Sequence, residues 1–553
     1  MVTSGSAIDG PAADLVSLHW ERIQVIVRLR PTQAGAIEPA TIRLQRVGDP
    51  ATSVAATRTW TDGEDLVVRC NVMQGPGGIP LAVGAWELTT TGGPIRMTAA
   101  PAGGPASARF STERGTYVVR PALADGRLRL AVSLTPAPLR VTLARIARNL
   151  TIRLPRLLVF QAIGVLYRIA RLRVARDEHR ILFVGHYGTD LSGDMQAVLA
   201  GMASRGVDRE RTIAIIPTLK RRSLRDWLRL PTELAHAGTI VIEEDVLFML
   251  PSVDARVIQL WHASGALKAI GYSRVGKPSA RSPWSRHYKY FSWAIVSGEH
   301  DVPLFAEAFG MPEDRVLPLG HPRMDRFLDP AWRERARDAT IAAIPQANGR
   351  RMILFAPTWR ERGQERVYDL SVLDYPRLYE LCVALDAAFV IRMHPTVVHP
   401  VEIPPAYADR IVNGTTTVMD APEQLCATDL LITDYSSIIL EYSLLGRPML
   451  FFAPDLDAYR ADRDVYMPYE QFVPGRIVRT FDELLAAIRA QDFQLEKVEP
   501  FARSQFTYVD GRATDRVIDL ILGRSGSVRY HSPPATAPGE IGAPQPEQEP
   551  PSE

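Results

Sequence analysis

Cysteine is scarce. Cys70, Cys382 and Cys426 are the only three in 553 residues, and they are far apart, with no C-x-x-C or Cys/His spacing. That excludes a disulfide scaffold, leaves no cysteine-based metal site, and fits a reducing compartment. Long apolar runs are missing too. No stretch reaches the roughly 18 uninterrupted apolar residues of a membrane-crossing helix. The first twenty residues hold no basic region followed by an apolar core, so neither a transmembrane helix nor a signal peptide is expected. Neither sign of charge is in excess: 64 Lys and Arg against 62 Asp and Glu give a net charge of +2. A general nucleic-acid-binding surface usually shows a large basic surplus, so none is expected. Also absent are a G-x-x-x-x-G-K-[ST] loop and a G-x-G-x-x-G turn after a strand, which removes P-loop NTPases and dinucleotide dehydrogenases.

What is present is long and heterogeneous. At 553 residues the chain exceeds one core and should divide into about three domains. Residues 1–137 read as a small all-β, sandwich-like accessory domain, because short alternating stretches such as "IQVIVRLR" and "RLRLAVSL" are separated by Gly/Pro turns. Such a domain either recognises a partner or stabilises its neighbour. Residues 138–180 carry ten arginines against two acids, with Leu, Ile and Val at three- and four-residue spacing. This describes a basic amphipathic helical segment, broken near Pro155, that either lies on an anionic membrane surface or packs as a linker with a solvated arginine face. From 181 on, apolar strands alternate with helices, which implies parallel sheets covered on both faces. Two Rossmann-like domains, 181–335 and 336–523, accommodate them, and the Pro/Ser/Gly/Glu-rich 524–553 is expected to be disordered.

In open parallel sheets ligands sit at the carboxyl ends of the strands. Here those ends are polar. "VIQLWH" ends in Trp261 and His262 and leads to Lys268. "VLPLG" runs into His321, Arg323 and Asp325. "MILFA" ends before Thr358, Trp359 and Arg360, "FVIRM" before His394 and Pro395, and "LLI" before Thr433, Asp434, Tyr435, Ser436 and Ser437. Lys268, Arg323, Arg360 and Arg392 or His394 make a positive lining that suits an anionic, phosphorylated ligand. Two D-x-D pairs, Asp455/Asp457 and Asp462/Asp464, are a weak signal at that spacing, so a divalent metal stays open without being indicated and no cofactor is assigned.

Five ordered blocks, "QLWHASGALK", "GHPRMDRF", "ILFAPTWR", "IRMHP" and "ATDLLITDYSSIILEYSLLGRPMLFFAPDLDAY", resemble the signatures of the CDP-glycerol glycerophosphotransferases that polymerise teichoic acids. "FTYVDGRATDRVIDLI" resembles that family's closing helix, so the likeness runs over about 181–523. The resemblance implies a GT-B-like pair of Rossmann domains with the activated donor between them. It also implies transfer of glycerol phosphate from CDP-glycerol to a hydroxyl of a polyol-phosphate polymer or lipid-linked primer, with release of CMP. Members are peripheral on the cytoplasmic membrane face. Related enzymes use CDP-ribitol or other activated donors, and a catalytically silent membrane scaffold is the reading from another class. Two positions depart from the usual pattern: Ala263 stands where Gly is common, and Glu441 where Asp is common.

Transfer at phosphorus needs a base for the acceptor hydroxyl, neutralised phosphate charge and an in-line leaving group. His262 is the candidate base, with Asp325 a candidate to orient it; the alternative is a Trp-His plug at a strand end. Arg323, Arg360 and His394 are assigned to the donor phosphates, the alternatives being ion pairs and a capping histidine. Lys268 meets a phosphate or solvent. Thr433, Ser436 and Ser437 border the phosphates, and a plain serine N-cap is compatible with that. Asp434 is expected to be structural or to meet a sugar hydroxyl. Glu441 either accepts from the ribose or stays a surface acid.

Overall fold

The protein's structure is a computed structural model that describes residues 10–99, 106–140, 154–185, 191, 193–207, 213–216, 224–245, 247, 250, 252–277, 280–285, 287–362, 365–394, 397, 401–415, 421–462 and 465–523. Residues 141–153 of the basic segment, Pro395, Asp464 and the tail 524–553 lie outside the described residues.

The alternating polarity near the N-terminus does what alternation dictates: in Arg127–Pro136, Leu128, Leu130 and Val132 are buried between more exposed residues. Twelve strands between Ala12 and Pro136 join in one hydrogen-bonded sheet, mostly antiparallel. Its inward side chains, among them Val25, Val27, Leu29 and Leu130, form a core continuous with that of the following unit. Hydrogen bonds mark the same seam. Arg22 and Gln24 both donate to the buried Glu307, at 2.7 and 2.5 Å.

Two six-stranded sheets follow, all of whose pairings are parallel. The first runs Ile213–Ile216, Asp177–Val184, Ala237–Ile242, Arg256–Gln259, Trp293–Ile295, Val316–Leu317 across the sheet. The second runs Ile411–Asn413, Ala387–Ile391, Arg351–Phe355, Leu430–Thr433, Met449–Phe452, Arg476–Val478. In chain rank the second order is 3-2-1-4-5-6, the doubly wound arrangement whose ligand crevice opens where the order reverses. That reversal lies between Arg351–Phe355 and Leu430–Thr433. In the first sheet it lies between Asp177–Val184 and Ala237–Ile242, and the latter strand leads directly into Glu243 and Glu244.

Two helices bear on function. Leu154–Arg173 buries Ile163, Tyr167 and Ala170, a four- and three-residue spacing, against the core that holds Leu230 and Leu234. Its other side leaves Leu158, Val165, Ile169 and Leu172 exposed, Leu172 to 87%. Ala513–Ile521 corrects the expectation that 336–523 forms one unit. Val517, Ile518, Leu520 and Ile521 pack with Ile181, Phe183 and Val198, so the chain returns to the first sheet. Burying each such side chain stabilises that core by about 1.5–3 kcal/mol.

Candidate active site

The strand end at Gln259 turns abruptly. Trp261 has φ +60, an uncommon conformation for a bulky side chain. It is held there by its amide donating to Gln259 Oε1 at 2.8 Å and by edge-on packing against Phe309 and Phe305, with centroids 5.1 and 6.2 Å away. The turn presents His262 partly exposed, with Nδ1 3.1 Å from Glu244 Oε1. Glu244, from the neighbouring strand end, is therefore the carboxylate beside the imidazole. Asp325 is not: its two oxygens accept the amides of Ala513 and Thr514 at 2.9 and 2.8 Å and cap the helix Ala513–Ile521. The orienting role expected of Asp325 is thus corrected, because both its acceptors are committed to a helix terminus.

Arg323 lies at the centre of a buried network. Its amide and Nη1 donate to the two oxygens of Asp194 at 2.8 and 2.6 Å. Its Nε donates to Glu441 at 3.1 Å, and Nη2 to Ser264 Oγ at 2.8 Å and the His262 carbonyl at 3.3 Å. Burial opposes ionisation of Asp194, but Arg323, with His321 nearby, holds its carboxyl down at about 2. Glu243 behaves oppositely: burial, then repulsion from Asp194, pushes it up to about 8. His321 is fully buried with Nδ1 3.8 Å from Asp194. Glu441, expected to meet a ribose or solvent, reaches from the second unit to Arg323 and ties the two together. A Cβ added at Gly265 would stand 2.8 Å from Leu440, which shows how closely the 261–268 turn abuts that helix.

At the second sheet's reversal the strand ends are stitched. Thr433, buried, donates its hydroxyl to the Ala356 carbonyl at 2.7 Å, and Asp434 Oδ1 accepts the Thr358 amide at 2.7 Å. Asp434 is structural, as one of its expected roles had it. Arg360 donates to Asp434 at 2.9 Å and to both oxygens of Asp455 at 2.6 and 2.9 Å, above the stacked rings of Tyr435 and Tyr459. Two carboxylates already balance its charge, so Arg360 organises the site rather than supplying free positive charge to it. Thr433 is likewise turned inward to the neighbouring strand. Ser436 is half-buried and Ser437 exposed, and Ser437 makes no side-chain cap bond.

The positive lining converges elsewhere. Burial first, then the charges of Arg366, Arg392 and Lys268, lowers the His394 pKa. Lys268 comes from the first unit and pairs by backbone with Val465 of the second, its Nζ 5.7 Å from the Tyr459 ring. Lys268 of the first unit and Arg366 and Arg392 of the second thus all act on His394, positive charge that favours a compact polyanion beside it. Asp194, Glu243, Glu244 and Arg366 are the residues the strand-end rule left unused. Glu243 and Glu244 immediately follow "TIVI", a signal visible in the sequence. No group of three or more His, Cys, Asp or Glu arranged for a metal occurs among the described residues.

Residues 165–523 match the family described as CDP-Glycerol:Poly(glycerophosphate) glycerophosphotransferase. The chain is 35% identical over 375 residues to the teichoic acid ribitol-phosphate polymerase TarK of Staphylococcus aureus, an alignment covering 66% of this chain and 72% of TarK. It is 36% identical over 351 residues to TarL, another teichoic acid ribitol-phosphate polymerase of that organism, with 62% of each covered. The solved wall teichoic acid polymerase TagF superposes with a TM-score of 0.55 at 23% identity, over 70% of this chain and 97% of that one, a likeness of fold. On the extent of the family match and the identity to TarK, the chain belongs to the CDP-glycerol:poly(glycerophosphate) glycerophosphotransferase family.

Proposed function

We propose that this protein transfers a polyol phosphate from a CDP-activated donor to the terminal hydroxyl of a polyol-phosphate chain or primer, releasing CMP. The observation that carries the reading is the pairing of His262 with Glu244 at one sheet's mouth and the Lys268, Arg366, Arg392 and His394 cluster at the other's. The facing sheets then act as a GT-B-like pair. With Nδ1 turned to the Glu244 carboxylate, the His262 imidazole is the group that takes the proton of the acceptor hydroxyl. The hydroxyl oxygen bonds to the phosphorus that bears the polyol, and the bridging P–O bond to CMP breaks in line. The charge gathering on the departing CMP phosphate is met by the basic cluster, with Ser436 and Ser437 bordering it. Arg323 and Arg360, both ion-paired, hold the walls in place.

Both TarK and TarL carry ribitol phosphate in their names at 35% and 36% identity, and this favours CDP-ribitol as the donor over CDP-glycerol. The protein works at the cytoplasmic face of a membrane without crossing it. Supporting this are the exposed Leu158, Val165, Ile169 and Leu172 interleaved with Arg168, Arg171 and Arg173. No described helix is long and apolar enough to span a bilayer.

The test incubates the purified protein and a primer with CDP-ribitol or CDP-glycerol and measures CMP release. CMP with CDP-ribitol is expected. Turnover with CDP-glycerol alone overturns the donor, and turnover with neither overturns the function.

A further inference from the structure

The twelve-stranded sheet lies ahead of the residues 165–523 matched to the family, yet it grips the helix on which the His262 turn rests. That helix is Val302–Phe309. Phe305 and Phe309 pack edge-on against Trp261, and the fully buried Asp301, just ahead of the helix, accepts the Ala266 amide at 3.3 Å. The same helix carries Glu307, whose side chain has no exposed surface.

The donors to Glu307 come from the N-terminal sheet. Arg22 approaches with its fork, Nε to Oε1 at 2.7 Å and Nη2 to Oε2 at 3.0 Å, and Gln24 Nε2 donates to Oε2 at 2.5 Å. Arg22 and Ile23 form the tip of the hairpin that joins Ala12–Glu21 to Gln24–Pro31. Arg22 takes a left-handed φ of +53 there, a conformation that Gly or Asn adopts more easily. Two further contacts hold the far end of the helix: Gln74 Nε2 donates to the Gly310 carbonyl at 2.5 Å, and Arg58 pairs with Glu313 at 3.8 Å.

Arg22 also faces the second unit. Its guanidinium lies 4.9 Å from the centre of the Tyr466 ring. Tyr466 is itself tied to the stretch that follows His262: its amide donates to the Leu267 carbonyl at 3.1 Å and its hydroxyl to Ser273 Oγ at 3.0 Å. One arginine thus joins the three units. A buried ion pair adds little stability over an apolar pair of the same size, because taking both charges out of water is costly. What it adds is direction: the forked contact and the third donor are satisfied together at one placing of the helix. An apolar seam would tolerate a shift along it.

We propose that Arg22 is a positioning residue for the transfer. Through Glu307 and the helix Val302–Phe309, the N-terminal sheet fixes the turn that presents His262, and through Tyr466 it registers that turn against the second unit. This rests on the transferase reading above and gives the N-terminal sheet a part in it.

Arg22→Gln alone would leave the Glu307 charge buried without its partner, so the test makes Arg22→Gln and Glu307→Gln together in the full chain. In this paired variant kcat for CMP release should fall about ten- to a hundredfold, the cost of a small misplacement of a reacting group. The donor KM, and CDP binding by calorimetry, should stay at the parent's values. In the His262→Ala background the same pair should leave residual turnover nearly unaltered, since a residue that acts through His262 has nothing left to act through. Hydrogen exchange gives a reading independent of turnover: amides of 261–268 should exchange faster in the paired variant, and those of Met449–Phe452 in the second sheet should not. Arg28→Gln, which breaks an ion pair with Asp65 elsewhere in the N-terminal sheet, should match the parent in both readings. The proposal is overturned by a paired variant with the parent's kcat, by an equal loss of turnover with and without His262, or by unchanged exchange at 261–268. If the parent releases CMP from neither donor, the transferase reading fails and takes the positioning role with it, while exchange still decides whether the sheet holds the turn.

Discussion

His262 is presented by a backbone that most side chains avoid, and the Trp261 conformation is held by Gln259 and two phenylalanines as well as by the His262 ring 4.4 Å away. Replacing His262 by Ala removes only the last of these, so the turn should stay intact. Turnover is expected to fall by about two to four orders of magnitude, the usual worth of a positioned base, while calorimetry still reports CDP binding. A second residue-scale expectation concerns Glu243. Its carboxyl is raised from the ordinary 4.5 to about 8, so between those values the folded protein holds a proton the unfolded chain has released. Stability falls as pH rises through that window. Glu243→Gln removes this contribution: melting temperatures of parent and variant should agree near pH 4.5 and diverge by pH 8.5, the variant melting higher. His262 and His394 stood out as candidates because each lies just past an apolar strand, and Lys268 because the same turn leads to it. The partners did not stand out. Arg323 lies 129 residues from Asp194 and 118 from Glu441, and nothing local in a sequence reports which distant carboxylate an arginine meets.

At the scale of elements, Asp325 shows how a correct pattern misleads. A carboxylate two residues after Arg323 looks placed for catalysis, yet it terminates a helix nearly 190 residues away. Asp325→Ala should cost about 1 kcal/mol of stability, the common value for a lost cap, as measured by denaturant unfolding. Donor binding should remain. The Leu154–Arg173 helix was more readable, since its apolar spacing and arginine content are local. What spacing could not tell is which apolar residues face the core. Ile163, Tyr167 and Ala170 do, and Leu158, Val165, Ile169 and Leu172 do not. Converting Val165, Ile169 and Leu172 to Ser should reduce co-sedimentation with anionic vesicles while the melting temperature stays near the parent's, because these side chains contribute little to the core. Vesicle binding equal to the parent's removes the helix from membrane attachment.

Over the whole molecule, the alternation of apolar strands with helices was sufficient to anticipate the two parallel sheets. The linkage of the units was hidden. Arg323 and Glu441 join them by an ion pair, Lys268 and Val465 by backbone, and the helix Ala513–Ile521 by crossing back. That crossing has a consequence for how the protein is made. The first sheet's strands are complete by Leu317, but Val517, Ile518, Leu520 and Ile521 belong to their core. At a ribosomal speed of about 5–20 residues per second, some 10–40 seconds separate the synthesis of these strands from that of the helix that covers them. During that interval Ile181, Phe183 and Val198 lack the part of their covering that this helix supplies, while the second unit, nested between, can fold ahead of it.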